Sequence, residues 1–472
     1  MNKKIKFSFL AVGVSALIGG GCDQQEDQKP NVIIFFADDY GWAQSGAYGS
    51  DYYQTPNIDR LAVEGVRFTD AYTAAAICSP TRASIMTGKD PARLNLTDFI
   101  PGNRRDIYPL TIPEMQQFLP LEEVTLGNLF NDQGYNTAFF GKWHLSPEKF
   151  GPESLPYYPD KQGFENYFVI DKPCGNTQPE FDPHKSDRIG DTSVDYIREK
   201  ADDPFFLFMS FSAIHDPLVE IADSITMWRS RKGSEKPENN PIIAAMLSRM
   251  DRNIGKVLNV LDELKLSENT IVIFYSDNGG LAENNNVYYM DYYPEGEEMK
   301  IAKQTPLRKG KGWLYEGGIR VPLIIKWPGV VKNNWVSNEV VTSSDFMPTF
   351  CELLDMAPEP GVDGISFLSH LKTGEPLPER NHYWHYPHYH NQSGMLPAGA
   401  VRSGKWKLIE WYEKSLLEGD EAAYELYDLE NDIGESVNLA DSEKDKTSEL
   451  ADDLKRWRNK VNAQMPVPNP NY

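Results

Sequence analysis

The stretch Val32-Ile33-Ile34-Phe35-Phe36-Ala37-Asp38-Asp39 joins an unbroken apolar run to a pair of adjacent carboxylates. A short run of branched and aromatic residues that ends in a turn is typical of a strand buried on both faces of a parallel sheet. Similar runs recur at 135–140, 205–211, 270–276 and 322–327, with helical patterns between them, the longest being Pro241 to Leu264. This alternation predicts an α/β fold in which helices flank a mostly parallel central sheet.

Polar side chains follow the ends of several of these predicted strands. They are Asp38 and Asp39, then Lys142 and His144, then His215, and finally Asp277 and Asn278. Each pair taken alone could be turn residues that bond their own backbone. Because the carboxyl ends of parallel strands meet at one edge of a sheet, the recurrence instead predicts that these side chains converge on a ligand site.

The two acidic pairs suggest the kind of ligand. Asp38, Asp39, Asp277 and Asn278 offer only oxygen donors, which select a hard cation such as Ca²⁺ or Mg²⁺ over zinc. A zinc site would be expected to include histidine ligands, and no histidine adjoins either pair. The sequence therefore favours an oxygen-ligated divalent cation.

A second informative stretch is Cys78-Ser79-Pro80-Thr81-Arg82, with Gly88 a few residues behind it. A lone cysteine usually packs as a small buried hydrophobe. In this segment proline and glycine bracket an apolar run that is typical of an opening helix. We therefore expect Cys78 at a helix N-terminus, where the helix dipole and Arg82 both favour a negative group.

This pentapeptide resembles the maturation signature of the type I, formylglycine-dependent sulfatases, C-x-P-S/T-R with T-G behind it. Further segments resemble blocks of the same family. They are Gly141-Lys142-Trp143-His144-Leu145, in which Ser146 replaces the family's next glycine, Ser212 to Pro217, Leu307 to Pro322, and Glu425 to Leu429 with Asn438-Leu439. The resemblance covers roughly residues 30 to 440 and implies an alkaline-phosphatase-like fold.

The resemblance also implies the cofactors. In this family a maturation enzyme oxidises the cysteine, at this chain's Cys78, to Cα-formylglycine (3-oxoalanine), whose hydrate is the nucleophile. The family binds calcium, and the matching positions are Asp38, Asp39, Asp277 and Asn278, with the modified Cys78 completing the shell.

The remaining roles are likewise those that the resemblance implies. Arg82 and Lys142 hold the nucleophile, and Lys311 neutralises the sulfate oxygens together with the metal. His215 is placed to protonate the leaving sugar oxygen, and His144 to remove the proton that releases sulfate. Two alternatives are a phosphate or phosphonate ester hydrolase of the same superfamily and a non-catalytic protein that only binds sulfated glycan.

The substrate is suggested by the aromatic tract 381–392, which holds half of the eight histidines. It lacks the cysteines of a metal-binding tract and is polar for a core segment. Aromatic rings beside imidazoles and amides suit a sugar, so we predict a glycan subsite that includes His385 and His388. Arg104 or Arg105 could contact sulfate or carboxylate groups, or lie in a solvated loop. The expected substrate is a sulfated polysaccharide or glycosaminoglycan fragment, cleaved by a bacterial carbohydrate sulfatase.

Composition and length limit the remaining options. The net charge of −22 argues against nucleic-acid binding, because phosphate contacts need clustered Lys and Arg. A chain of 472 residues exceeds one ordinary core. We predict a catalytic domain at 30–375 and a C-terminal subdomain at 376–472, made of short antiparallel strands and a last helix from Glu443 to Val461.

The N-terminus has the features of a targeting segment. A lysine-rich start precedes the apolar stretch Phe7 to Ile18, and Gly19-Gly20-Gly21-Cys22 resembles the lipobox of a bacterial lipoprotein. We predict a signal peptide at 1–22 and export from a bacterial cytoplasm, to the periplasm or as an outer-membrane lipoprotein. Cys22 would carry the lipid, with plain cleavage nearby as the alternative. Cys174 and Cys351 could pair, but two buried thiols are favoured.

Overall fold

The computed structural model describes residues 29–102, 107–147, 154–170, 182–281, 302–419 and 423–472. Its strands are β1 (Asn31–Ala37), β2 (Val66–Phe68), β3 (Ala71–Tyr72), β4 (Leu110–Thr111), β5 (Asn136–Gly141), β6 (Asn166–Val169), β7 (Phe205–Ser210), β8 (Thr270–Ser276), β9 (Leu323–Lys326), β10 (Trp335–Ser337), β11 (Val341–Thr342), β12 (Asn381–Tyr386), β13 (Ala398–Ser403), β14 (Trp406–Trp411), β15 (Tyr424–Asp428) and β16 (Val467–Pro468).

A mostly parallel sheet of eight strands forms the centre, in the order β10-β2-β9-β8-β1-β7-β5-β6. β1 lies between β8 and β7 and is parallel to both, and β5 and β6 continue in the same direction. β9 is the exception, since it runs antiparallel to β8 and β2. The predicted α/β sheet is thus confirmed, and the carboxyl ends of β1, β5, β7 and β8 share one edge.

The helices are α1 (Pro56–Val63), α2 (Cys78–Thr87), α3 (Pro91–Leu94), α4 (Leu126–Asp132), α5 (Ser186–Glu199), α6 (Ala222–Arg229), α7 (Pro241–Glu263), α8 (Glu316–Ile319), α9 (Phe346–Leu353), α10 (Leu368–Thr373), α11 (Tyr412–Leu417) and α12 (Lys444–Val461). α7 shows why its start was predictable. The side chain of Asn240 accepts hydrogen bonds from the N–H groups of Ile242 and Ile243, and Pro241 occupies the first helical position.

Both faces of the sheet are covered, which explains why β1 is apolar throughout. Ile33 and Phe35 belong to a core shared with α5, α6 and α7, whereas Ile34 and Phe36 pack into a core shared with α2, α4 and α9. Every residue from Val32 to Ala37 is completely buried. A strand buried on both faces cannot alternate apolar with polar residues.

The C-terminal part is an antiparallel sheet of β12-β13-β14-β15. One face, including Trp384 and Ile409, packs toward the catalytic part, and the other, including Leu408, packs against Leu454 of α12. This architecture confirms the predicted subdomain of short antiparallel strands and a helix, although the division at residues 375 and 376 stays a prediction.

Some predictions fall on residues outside the described ranges. These are the signal peptide at 1–22 with Cys22, and Arg104, Arg105 and Cys174. Cys351 is a buried free thiol. Among the described residues, no helix combines the length and apolar character needed to cross a membrane.

Candidate active site

Two acidic pairs meet at the shared edge of the sheet, one after β1 and one after β8. The backbone N–H of Asp39 donates to Asp277 Oδ1 at 3.1 Å, and the Asn278 amide donates to Asp39 Oδ1 at 2.8 Å. Asp38, Asp39, Asp277 and Asn278 are all buried. The parallel pairing of β1 with β8, in which Ala37 faces Ser276, brings the two pairs side by side.

Cys78 is the first residue of α2, as the sequence predicts, and it points at this edge. Its Sγ lies 3.4 Å from Asp38 Oδ1 and 3.4 Å from Lys142 Nζ. Burial and the nearby Asp277 charge raise the pKa of the Cys78 thiol well above its usual value, despite the opposing charge of Lys142. The unmodified thiol is therefore protonated at neutral pH and is a poor nucleophile.

Arg82 follows Cys78 by one helical turn and crosses the site. Its Nε and Nη2 donate to Asp277 Oδ2 at 3.0 and 2.7 Å. Its Nη1 donates to the Lys142 carbonyl oxygen and to Ser210 Oγ, both at 2.7 Å. The guanidinium therefore links the end of β8 to the ends of β5 and β7.

Two lysines complete the charged set. Lys142 Nζ lies 2.6 Å from Asp38 Oδ2, and Lys311 Nζ lies 2.8 Å from Asp39 Oδ2. Burial opposes the charge on each ammonium, but the adjacent carboxylates outweigh it and raise the pKa of both lysines. Together with Arg82 these cations match the three carboxylates of the site in number, so an anionic substrate would find little net positive charge in the side chains alone.

The carboxylates of the site differ in their pKa values, and this difference is relevant to binding of a metal ion. Burial and the Asp38 charge raise the pKa of Asp277 to about 7. Burial also opposes ionisation of Asp38, but Lys142 and other cations hold its pKa well below the usual value. The Asn278 Oδ1 is buried without a hydrogen-bond partner among the described residues. An unpartnered amide oxygen beside carboxylates that repel one another fits a divalent cation.

His215 belongs to the same cluster, as its place after the apolar run 205–211 predicted. Ligand atoms of Asp38, Asp39, Cys78 and His215 all lie within 4.8 Å of one another. His215 Nδ1 donates to the Asp216 carbonyl oxygen at 2.7 Å, which leaves Nε2 as the basic nitrogen. Burial and the charges of Lys311 and Lys142 lower the pKa of His215 to about 4. As a proton donor it would first have to gain a proton, and a bound anion would favour that step.

His144 follows the end of β5, two residues after Lys142. Its Nε2–H donates to the Ile100 carbonyl oxygen at 2.9 Å, while its buried Nδ1 has no partner among the described residues. Burial and the Lys142 charge keep the pKa of His144 well below its usual value. The ring is therefore neutral, with a lone pair on Nδ1, which is the form that a general base requires.

The histidine tract differs from our prediction. His385 lies on the face of β12 that packs against the C-terminal end of the chain, with Nδ1 2.7 Å from the Tyr412 hydroxyl and Nε2 2.9 Å from the Gln464 carbonyl oxygen. Both ring nitrogens are used inside the protein, so the structure does not support His385 as a sugar ligand. His388 is also buried, with Nε2 2.8 Å from Thr97 Oγ1.

His390, which the sequence analysis did not select, is the tract histidine that approaches the site. Its Nδ1 is so close to Gly312 that a Cβ on that glycine would lie 2.6 Å away. Burial, followed by the Lys311 charge, lowers the pKa of His390 to about 3. Nδ1 accepts from the Ser393 N–H at 3.2 Å, so the neutral ring carries its proton on Nε2. Ser210, which orients Arg82, was missed as well because it lies inside an apolar run.

Comparison with known proteins gives the family. Residues 30–356 match the family model described as Sulfatase. The chain belongs to the sulfatase family. Residues 309–464 also match the model described as N-sulphoglucosamine sulphohydrolase, C-terminal. Membership makes the protein a sulfuric ester hydrolase, as the motifs predicted.

Individual sulfatases match along nearly the whole chain. A sulfatase of Formosa agariphila is 30% identical and covers 98% of this chain and 95% of its own length. The N-acetylgalactosamine-6-O-sulfatase of Bacteroides thetaiotaomicron is 27% identical, covering 94% and 97%. The crystal structure of Ps i-CgsB with k-i-k-neocarrahexaose superposes with a TM-score of 0.73 at 25% identity, covering 91% and 93%. The predicted alkaline-phosphatase-like fold is thereby confirmed.

Proposed function

We propose that this sulfatase hydrolyses a sulfate ester on a carbohydrate and depends on calcium and on conversion of Cys78 to formylglycine. The observation that carries the proposal is the placement of Cys78. It begins a buried helix and lies 3.4 Å from both an acidic ligand position and a lysine, yet as a thiol it is protonated. A protonated thiol is a poor nucleophile, whereas a cation held by the adjacent carboxylates would favour an anionic oxygen nucleophile at this position.

The cofactors supply what the side chains lack. A calcium ion held by Asp38, Asp39, Asp277 and Asn278 would supply the net positive charge that attracts a sulfate ester. Formylglycine at position 78 would supply a geminal diol, whose second hydroxyl permits release of sulfate without attack by water.

The surrounding residues perform the proton and charge steps. Arg82 and Lys142 hold the group at position 78, and Lys311 stabilises negative charge on the sulfate oxygens. His144 is neutral, and its Nδ1, which has no partner among the described residues, would accept a proton from the group at position 78. His215 gives a proton to the leaving oxygen after the charge of the bound sulfate has raised its proton affinity.

A carbohydrate substrate is supported by the relatives and by one side chain. The relatives include an N-acetylgalactosamine-6-O-sulfatase, and a structural neighbour was solved with a neocarrahexaose. In this chain the His390 ring packs with Nδ1 against Gly312, next to Lys311, and carries its proton on Nε2. We propose His390 as a sugar contact in place of His385. His388 and Arg104 remain proposals for the same subsite.

The nucleophile and metal are tested by mass spectrometry and metal reconstitution. After co-expression with a formylglycine-generating enzyme, the peptide that spans Cys78 should carry a carbonyl in place of the thiol, and Cys78→Ala should fold but not turn over. Calcium should restore the chelated enzyme better than zinc. Full activity with Cys78 wholly a thiol, or after verified removal of the metal, would contradict the proposal. Faster turnover of phosphonate esters than of sulfate esters would support the phosphonate hydrolase alternative.

The sugar contact has its own test. His390→Ala should lower kcat/KM on the best sulfated sugar about tenfold, the cost of about one hydrogen bond, and leave a small aryl sulfate nearly unaffected. The control is His385→Gln, which should leave both substrates unaffected while the fold is intact. Equal losses of His390→Ala on both substrates would remove this residue from sugar recognition.

Export is a separate proposal that rests on the N-terminal sequence. We propose that residues 1–22 direct secretion and that Cys22 receives lipid. Fractionation of a bacterial host and mass spectrometry of the mature N-terminus should find a lipid-modified Cys22 in the membrane fraction. A mature chain with an unmodified N-terminus in the periplasm would contradict lipidation but not export.

A further inference from the structure

The turn that presents Lys311 is built directly on α8. A Cβ on Gly318 would lie 2.0 Å from the Trp313 carbonyl oxygen, and one on Gly317 would lie 2.4 Å from the Lys309 carbonyl oxygen. The Gly317 N–H also donates to the Arg308 carbonyl oxygen at 2.9 Å. Because the turn packs directly against α8, it cannot move independently of that helix. The position of the Lys311 ammonium therefore depends on the residues that fix α8.

α8 is held through its first residue, Glu316. This side chain is completely buried. Its Oε2 accepts from Arg320 Nε at 2.7 Å and from the Tyr72 hydroxyl at 2.5 Å. Its Oε1 accepts from Lys407 Nζ at 2.9 Å. Arg320 and Tyr72 belong to the catalytic part of the chain, but Lys407 lies on β14 of the C-terminal sheet.

Lys407 connects the two parts of the protein by a buried charge. Its ammonium lies between Glu316 Oε1 and Glu435 Oε1, at 2.9 and 2.8 Å, and all three side chains are completely buried. The other oxygen of Glu435 accepts from the Glu316 backbone N–H at 2.7 Å. The C-terminal part thus contacts α8 twice at Glu316, through its side chain by Lys407 and through its backbone N–H by Glu435.

Buried ion clusters contribute little net stability to a fold, because the free energy of desolvating the charges offsets much of their attraction. Their geometry is nevertheless stiff, since an ammonium between two carboxylates has few alternative positions. We propose that Lys407 is a positioning residue for catalysis, which holds the α8 turn so that Lys311 meets Asp39 and the sulfate. The inference rests on the proposed role of Lys311, and it gives the C-terminal subdomain a part in catalysis as well as in substrate binding.

A double-mutant cycle tests the proposal on the full-length, matured enzyme with a small aryl sulfate. We expect Lys407→Met to lower kcat/KM about tenfold in the native background, and less than twofold in the Lys311→Ala background, because the residue acts through Lys311. Lys407→Arg, which keeps the charge, should recover part of the loss. Urea unfolding of each variant separates this effect from partial unfolding.

The matched control is a buried ion pair on the opposite face of the same strand. Arg458 Nη1 lies 2.7 Å from Glu410 Oε2, between β14 and α12. Arg458→Met should lower stability but change kcat/KM by the same small factor in both backgrounds. If Lys407→Met proves too unstable to purify, Glu435→Gln replaces it in the same cycle, with the same expectation.

The outcomes separate this inference from the proposed function. Full activity of Lys311→Ala would overturn the proposed role of Lys311 and the positioning role of Lys407, whereas the proposed function itself fails only in the tests of Cys78 and the metal. A large loss for Lys311→Ala, with an equal factor for Lys407→Met in both backgrounds, would overturn the positioning role alone. A loss confined to the native background supports it.

Discussion

Replacing Arg82 with lysine tests whether the site needs the shape of a guanidinium or only its charge. The substitution keeps one positive charge between the carboxylates. What changes is the number of partners that one side chain can contact. Arg82 donates to Asp277 from Nε and Nη2, while its Nη1 donates to the Lys142 carbonyl oxygen and to Ser210. A lysine ammonium is a single point and can serve one of these sides but not both.

The magnitude follows from the bonds that are lost. Whichever side the lysine keeps, two hydrogen bonds disappear from a fully desolvated location, and each bond to a charged group contributes about 1.5–3 kcal/mol. Arg82→Lys should therefore lower the free energy of unfolding by about 3–6 kcal/mol. Loss of the link to the Lys142 segment should also lower kcat about 10- to 100-fold, which corresponds to about one such bond.

Urea unfolding and steady-state hydrolysis of a small aryl sulfate, both with calcium present, measure the two effects. Ser210→Ala is the control. It removes one partner of Arg82 and leaves the guanidinium in place, so it should cost about 1.5–3 kcal/mol, less than the loss expected for Arg82→Lys. An Arg82→Lys enzyme within about 1 kcal/mol of the native stability and with nearly full kcat would show that charge alone suffices and would refute the argument from geometry.

Three further substitutions test the fold around the site. Burial lowers the pKa of His385 to about 4, so the stability that its neutral ring contributes is present above pH 6.5 and is lost as pH falls toward 4. Urea unfolding at pH 7.5 and pH 5 should show that His385→Gln reduces the acid-induced loss of unfolding free energy by about 2 kcal/mol. An unchanged loss would contradict this prediction. Gly141 has φ +123°, and a Cβ there would lie 1.8 Å from the Ser210 carbonyl oxygen. Gly141→Ala should therefore lower the free energy of unfolding by more than about 3 kcal/mol and displace Lys142. Native-like stability and activity would show instead that β5 and β7 can move apart. Asn240→Ala removes the cap of α7 and should lower the unfolding free energy by about 1 kcal/mol without affecting kcat.

Much of the fold and the chemistry of the site could be predicted from local sequence. The apolar run of β1 required burial on both faces, and the matching ends of β1 and β8 followed from parallel pairing. The position of Cys78 at the start of α2 was evident from its flanking residues. The meeting of the two acidic pairs could be predicted because it depends on strand ends, which can be read along the chain.

Which histidine of the aromatic tract 381–392 lies near the active site could not be predicted from the sequence. His385 and His390 lie in one aromatic stretch of the same composition, yet one packs inside the C-terminal part and the other borders Lys311. His385 lies within β12, whereas His390 lies beyond the end of that strand and pairs with Met395, so composition alone cannot say which of them meets the active site. That choice depends on how the sheet docks on the catalytic part.

The sequence by itself determined the main elements and the edge at which they meet, and it predicted a set of groups for sulfate ester hydrolysis. Only the tertiary structure decided which groups touch: Arg82 on Ser210, His390 beside Gly312, and Lys407 between Glu316 and Glu435. The physical reason is that secondary structure follows from neighbours along the chain, whereas these contacts join residues far apart in sequence. Their distances depend on the simultaneous packing of both faces of two sheets.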